Sequence, residues 1–300
     1  HRRTGTVKQD QNSNLMNALT ALERPDYVVI GHITQDITPT GLTPGGTVLY
    51  SGLTAHAMGM KVGVLSSLHP DFELELPPAV QIHIKPSDVT SRFKNVQTPE
   101  GRRQYIYQKA ADLNADDVPT TWQTAKVVQL GPVAREVDPA VLARFPKALK
   151  CITPQGWMRE WDSEGVISYR QWWEYETTLK QADIASFSIE DVQKNEDVVE
   201  QIAACVPVLA VTEAQNGARI YWNGDIRRFR APAMQEVDVT GAGDIFAAVF
   251  FTRYYQTRNP WEAARLAIQL ASNSVTRRGL QSIPTRSEIQ NHKIEIIEEK

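Results

Sequence analysis

Short apolar runs alternate with amphipathic stretches along most of this 300-residue chain. Tyr27-Val28-Val29-Ile30-Gly31 is an unbroken apolar run closed by glycine, the pattern of a strand covered on both faces. The polar segment 34–43 follows. Pro44-Gly45-Gly46 then opens a small-residue helix, Thr47 to Met58, and Lys61 to Ser66 reads as the next strand. Strand, excursion, helix, strand is a crossover unit of a layered α/β sheet. The rhythm resumes with strands at Val127 to Leu130, Lys150 to Thr153, Ile184 to Ser188 and Val208 to Val211. Helical stretches near 138–146, 172–182 and 189–204 lie between them. Ala218 to Trp222 and Ile226 to Arg230 flank Asn223-Gly224-Asp225, a strong hairpin signal. Two helices, about 242–256 and 260–276, complete the pattern.

Residues 80–110 read differently. Val80 to Lys85, Ser91 to Val96 and Arg103 to Gln108 alternate polar and apolar positions, and the turn Thr98-Pro99-Glu100-Gly101 separates the last two. They predict a small antiparallel sheet. With 34–44 it would make a lid over one end of the main sheet. The expected architecture is three-layer α/β/α with a mostly parallel sheet, plus this β lid built from about 34–44 and 80–110. One domain spans 25–300; residues 1–24 form a polar N-terminal extension with a short helix around Leu15 to Leu22. There is no internal repeat, and no linker long enough to separate two domains.

Composition narrows the function classes. A net charge of −3 provides no global basic field for nucleic acid or an anionic membrane. The two cysteines, Cys151 and Cys205, sit in apolar stretches and read as free thiols, too few for a disulfide framework or a zinc site. The longest apolar runs fall far short of a membrane span, and the polar residues 1–14 lack a signal-peptide core, so the cytoplasm is the expected compartment.

The chemistry concentrates in Val237-Asp238-Val239-Thr240-Gly241-Ala242-Gly243-Asp244-Ile245-Phe246. Small residues at a helix mouth let an anion approach bare backbone N–H groups, where the helix dipole adds positive potential. Asp244 on the first turn is placed to accept a proton from an attacking hydroxyl, although an Asp there also simply complements the dipole. A Cβ at 241 or 243 would hold phosphoryl oxygens away from the amides. Amides that stabilise a phosphoryl group beside a carboxylate base make a kit for phosphoryl transfer to an alcohol. No Gly-x4-Gly-Lys-Ser/Thr P-loop is present, and His32, His56, His69 and His83 show no metal spacing.

The stretch 238–246 resembles the C-terminal signature of the ribokinase/PfkB family of carbohydrate kinases. Other segments fall in that family's order over about 27–285. Gly31 to Asp36 resembles its first strand and the acid that binds substrate hydroxyls, and Gly45-Gly46 the di-glycine that sugar approaches. Gly101-Arg102-Arg103 would lie in the lid. Thr212 with Gly217 resembles the nucleotide-binding turn, and 274–279 the segment beside the adenine and a monovalent-cation loop. The resemblance implies Asp244 as general base with the Gly241, Ala242 and Gly243 amides as anion hole. It implies Asp36, Gly45, Gly46, Tyr50 and Arg159 around the acceptor, and Thr212, Gly217, Thr240 and Asn273 around ATP. Magnesium would be held through water by Glu190 and Asp191, and potassium by Asp238. Taken alone, Asp36 is equally a solvated turn residue, Gly45-Gly46 a helix cap, and Arg102 and Arg103 surface charges.

The chain also departs from the family pattern. Tyr50 stands where an Asn is usual, Ser188-Ile189-Glu190-Asp191 replaces Asn-x-x-Glu, and Ala214 replaces a glycine. Pro154-Gln155-Gly156-Trp157 resembles inositol-kinase relatives. Trp157, Trp161, Trp172 and Trp173 would stack on a ring ligand or pack against a neighbouring layer. The expected activity is ATP-dependent phosphorylation of a small sugar or cyclic polyol. The alternatives are a nucleoside kinase of the same fold and a binding protein that has lost turnover. A homodimer through exposed lid strands is also expected.

Overall fold

The computed structural model describes residues 24–98 and 101–291. The N-terminal extension up to 23, its expected helix, and the turn residues Pro99 and Glu100 lie outside the described residues. The chain runs β1 (Tyr27–Ile30), β2 (Thr34–Thr38), β3 (Gly41–Gly45), α1 (Thr47–Ala57), β4 (Val62–Leu68), β5 (Val80–Pro86), β6 (Ser91–Thr98), β7 (Gly101–Gln108), β8 (Val127–Leu130) and β9 (Leu149–Ile152). It continues with β10 (Arg159–Trp161), β11 (Ile167–Tyr169), α2 (Tyr175–Leu179), β12 (Ile184–Ser188), α3 (Glu196–Ala203), β13 (Val208–Thr212), β14 (Ala218–Trp222) and β15 (Asp225–Phe229). Helices α4 (Ala242–Thr257), α5 (Pro260–Ser274) and α6 (Arg286–Asn291) end it.

Nine strands form one sheet in the order β15-β14-β13-β12-β9-β8-β1-β4-β5. Only the β13–β14 and β14–β15 pairs are antiparallel: the tight turn at 213–217 joins the first, and the Asn223-Gly224 turn dictates the second. The central strands β1 and β8 are buried at every position, which is why β1 runs apolar without alternation and β8 does so but for Gln129. One face packs on α1, α4 and α5 through Val29, Val64, Phe250 and Phe251. Helix α4 is buried continuously from Ile245 to Thr252, so it carries apolar residues all round and forms the centre of its layer. Phe250 and Phe251 are wholly buried there, each worth about 1.5–3 kcal/mol by transfer. The opposite face is covered by Phe145, Leu179, Val199 and Trp157. Its helical stretches are shorter than expected. Residues 138–146 reduce to a 3-10 segment, Pro139–Arg144, and 189–204 to a 3-10 turn, Ile189–Val192, followed by α3. Asn195 accepts from Asp197 N and Val198 N at the start of α3 and breaks the run there.

The lid is a four-stranded sheet, β3-β2-β6-β7. It differs from expectation in two ways. Val80–Pro86 does not belong to it: β5 pairs parallel with β4 at the edge of the main sheet. An edge strand has one half-exposed face, and so it alternates like a lid strand. In addition, β2 and β6 pair parallel, so the lid is mixed. At its root His32 is buried, with Nε2 2.9 Å from Ala111 O and Nδ1 2.7 Å from Ser91 Oγ, which itself accepts from Ala110 N. A register shift interrupts the β6–β7 ladder just above, between Arg92 and Phe93. Cys151 is buried and Cys205 half-buried; both are free thiols. No helix among the described residues is long and apolar enough to cross a membrane.

Candidate active site

A cleft of about 990 Å³ opens where β9, β12 and β13 end, between the lid and the first turn of α4. Ligand crevices at the carboxyl ends of parallel strands are the rule in such sheets. Its wall includes Asp36, Gly46, Tyr50, Arg159, Glu190, Asp191, Thr212, Gly217, Thr240, Gly241, Ala242, Gly243 and Asp244. Three expected residues stand behind it. Gly45 is buried under Asp36, and a Cβ there would meet Asp36 Oδ2 at 2.5 Å, so this glycine makes room for the carboxylate. Asn273 Oδ1 accepts from Gln269 Nε2, and Ser272 takes the place on the wall. Asp238 accepts from Thr240 N with Oδ1 (2.9 Å) and from Gly279 N with Oδ2 (3.2 Å), which ties the approach to α4 to the segment after α5.

The two glycines of the helix mouth have separate reasons. Gly241 caps α4 at φ 79°, and a Cβ there would lie 2.3 Å from Tyr50 Cδ1, so the buried Tyr50 ring excludes a side chain. Phosphoryl approach is therefore not what demands glycine at 241. A Cβ at Gly243 would meet nothing within 4 Å, which leaves that amide bordered by open cleft. No side chain caps α4; Ala242 N donates to Val239 O at 3.2 Å, and the N–H groups of Gly243 and Asp244 precede the first intrahelical bond, Ile245 N to Gly241 O. Burial, reinforced by Asp36, Asp238 and Asp244, pushes the Tyr50 phenol well above its ordinary pKa and keeps it a neutral donor.

Among the described side chains the wall carries five carboxylates (Asp36, Glu190, Asp191, Glu236 and Asp244) and one cation, Arg159. Arg159 Nη1 donates to Val133 O (3.0 Å) and Nη2 to Gln104 Oε1 (3.1 Å), while Gln104 Nε2 donates to Asn95 Oδ1. The guanidinium is thus built into the lid side of the cleft. Asp36 Oδ1 accepts from Thr34 Oγ1 at 3.2 Å. Asp191 accepts from Gln155 Nε2 and from Ser188 N, whereas Glu190 is exposed and pairs with Lys194. Among the described residues no group of three or more His, Cys, Asp or Glu is arranged to hold a metal.

The tryptophans do not line the cleft. Trp157 and Trp172 stack at 5.2 Å in the second core, and Arg135 covers Trp161 at 4.5 Å. Phe93, on the lid's inner face, is the aromatic that sequence reasoning missed; its signal was the alternation of β6. Glu136 was missed as well. It is buried and accepts from His32 N, Val133 N and Ala134 N, so it fixes the β8 exit loop beneath the lid root.

Residues 95–286 match the family model described as pfkB family carbohydrate kinase. The chain belongs to this family, and it is a kinase with the ribokinase fold. It is 26% identical over 288 residues to a cytidine kinase of Thermococcus kodakarensis, covering 86% of this chain and 99% of that one. A pyrophosphate-dependent kinase of the ribokinase family, solved with a pyrophosphate analog and myo-inositol, superposes with a TM-score of 0.73 at 17% identity, covering 88% of this chain and 99% of the other. Arabidopsis thaliana ribokinase, solved with ribose and ATP, gives 0.65 at 17% identity, with 89% and 98% coverage. These two likenesses bear on the fold.

Proposed function

We propose that this kinase transfers a phosphoryl group from ATP to a hydroxyl of a small sugar or cyclic polyol, with Asp244 as general base. The observation that carries this reading is the single cleft shared by Asp36, the uncapped mouth of α4 and Asp244 on its first turn. Asp36 and the Gln104–Asn95 amides offer acceptors and donors to a polyol under the lid. Asp244 takes the hydroxyl proton as its oxygen attacks, and of the 241–243 amides those of Gly241 and Gly243 receive the transferring phosphoryl group, since Ala242 N already donates to Val239 O at 3.2 Å.

The donor end supports ATP over bare pyrophosphate. Met234, Ile268, Ala271 and Val275 give it an apolar wall suited to a base. Among the described side chains, five carboxylates against one guanidinium disfavour a naked polyphosphate. Magnesium fits that donor set as an ion carried in by the nucleotide and held through water by Glu190 and Asp191, where it would neutralise phosphate charge. Both Asp238 oxygens already accept backbone N–H groups, so this carboxylate ties the approach to α4 to the segment after α5, and the reaction as proposed does not call on potassium.

A second reading, nucleoside phosphorylation, is favoured by the likeness to the cytidine kinase and by Phe93 and Tyr50 as faces for a base. ADP release with inositols, hexoses, ribose and nucleosides separates the two. Asp244→Asn lowers kcat by about 10²–10⁴-fold with little change in ATP affinity. Near-full activity in that variant removes Asp244 from its role.

A further inference from the structure

One polar side chain interrupts the apolar strand β8. Gln129 is wholly buried, and an unpaired amide there would be costly. Tyr27 Oη donates to Gln129 Oε1 at 2.6 Å. Gln129 Nε2 donates to Ser51 Oγ at 3.1 Å and to Thr153 Oγ1 at 3.3 Å. Ser51 Oγ then donates to the backbone oxygen of Asp244 at 3.3 Å, and Thr153 Oγ1 to Leu130 O at 3.3 Å.

With Oε1 toward Tyr27 the tyrosine hydroxyl donates to it and every hydrogen finds an acceptor; the reversed amide would leave one Nε2 hydrogen and the Tyr27 proton without the acceptors they have here. Both Nε2 hydrogens are used, and each hydroxyl that receives one passes its own hydrogen onward. The branch through Ser51 ends on the carbonyl of the very residue whose side chain faces the cleft. That carbonyl already serves the helix ladder of α4. The extra donor is therefore not needed to form the helix; it docks the helix's first turn onto α1 and, through Gln129, onto the sheet centre.

We infer that Gln129 and Ser51 are positioning residues for phosphoryl transfer. They set the height and rotation of the first turn of α4, and so the placement of the Asp244 carboxylate and the neighbouring amides, against an acceptor bound under the lid. Neither touches substrate. The inference rests on the proposed role of that turn in the reaction, because misplacing a reacting group by about 1 Å costs up to about 10²-fold in rate.

The test compares three variants of the full chain by ADP release from ATP, with myo-inositol, ribose or cytidine as acceptor and water as the default. Ser51→Ala keeps a good helix former in α1 and cuts the link to Asp244. Gln129→Met keeps the volume and cuts both branches. Tyr27→Phe removes the remote donor and leaves the link to Asp244 in place. Ser51→Ala and Gln129→Met should lower kcat about tenfold with both KM values within about twofold. Tyr27→Phe should keep kcat within about twofold even where urea unfolding shows an equal or greater loss of stability. Wild-type kcat in Ser51→Ala overturns the inference. So does an equal kcat loss in Tyr27→Phe, which would make the effect general loosening. Full activity in Asp244→Asn would sink the general-base assignment alone, since the Ser51→Ala comparison reads the placement of the turn and not the proton acceptor.

Discussion

Alanine at Gly241 and alanine at Gly243 should have opposite effects on stability, although two positions separate them. Gly241 holds a left-handed φ of 79°, and its added Cβ would fall 2.3 Å from Tyr50 Cδ1 and 2.5 Å from Cε1. A non-glycine residue in that conformation costs about 1–2 kcal/mol, and overpacking costs about 1–3 kcal/mol. Tyr50 is 3% exposed and has nowhere to swing, so Gly241→Ala should lose about 2–5 kcal/mol in all. Gly243 meets nothing within 4 Å, and alanine in a helix is favoured over glycine by about 0.5–1 kcal/mol. Gly243→Ala should therefore be as stable as the parent or more so. Its methyl group borders the amides that receive the phosphoryl group, and kcat/KM should drop by about 10²-fold, the scale of losing one preorganised donor. Urea unfolding at pH 7 reads the first effect and steady-state ADP release the second. A double-mutant cycle isolates the ring contact: in a Tyr50→Ala background Gly241→Ala should recover about 1–3 kcal/mol and retain only the backbone strain. A Gly241→Ala cost unchanged by removing the ring would refute the packing explanation, and a fully active Gly243→Ala would refute the open-amide one.

Three further outcomes concern the ion pairs and buried acids. Glu136→Ala strands the N–H groups of His32, Val133 and Ala134, and chemical unfolding should show a loss of about 2–4 kcal/mol; a loss below about 0.5 kcal/mol, the scale of a plain surface substitution, would contradict the geometry. Buried Arg219 joins Glu196, at 2.8 and 3.0 Å, to Glu213 at the head of the 213–217 turn on the cleft wall, where ATP is proposed to bind. Arg219→Met should raise the KM for ATP more than it lowers kcat. The hydrogen bond from Arg219 holds the Glu196 carboxyl below its ordinary value of 4.5. A depressed folded-state pKa gives stability that is present above the unfolded value and lost as pH falls through the folded one. The stability gap between the parent and Glu196→Gln should thus close as pH drops from 6 to about 3, and a constant gap over that range would rule out the linkage.

Much of the architecture was legible in the sequence because buried parallel strands and an all-apolar helix leave runs that no surface segment tolerates. Tyr27–Ile30 and Ile245–Thr252 are such runs, and both lie where expected. Val80–Pro86 misled because alternation reports one exposed face, not which sheet owns the strand. Residues 239–244 of the motif lie on the cleft wall, yet the reason for the first glycine lay in Tyr50, nearly two hundred positions away. The same distance hid Gln129, whose partners come from β1, α1 and the end of β9. A lone amide in a strand of valines and leucine is a visible oddity, but only the fold shows what it holds.

The root of the lid limits how that flap could move. The ring of His32 and the hydroxyl of Ser91 join the chain entering β2, the start of β6 and the segment leaving β7 at one buried point. A door swinging rigidly at that point would tear several buried hydrogen bonds, at about 1–3 kcal/mol for each group left unsatisfied. Flexing above it breaks none of them, and the ladder is already irregular at Arg92 and Phe93. A closing motion that keeps these bonds would therefore bend within the lid's own strands, like a page above a stitched spine.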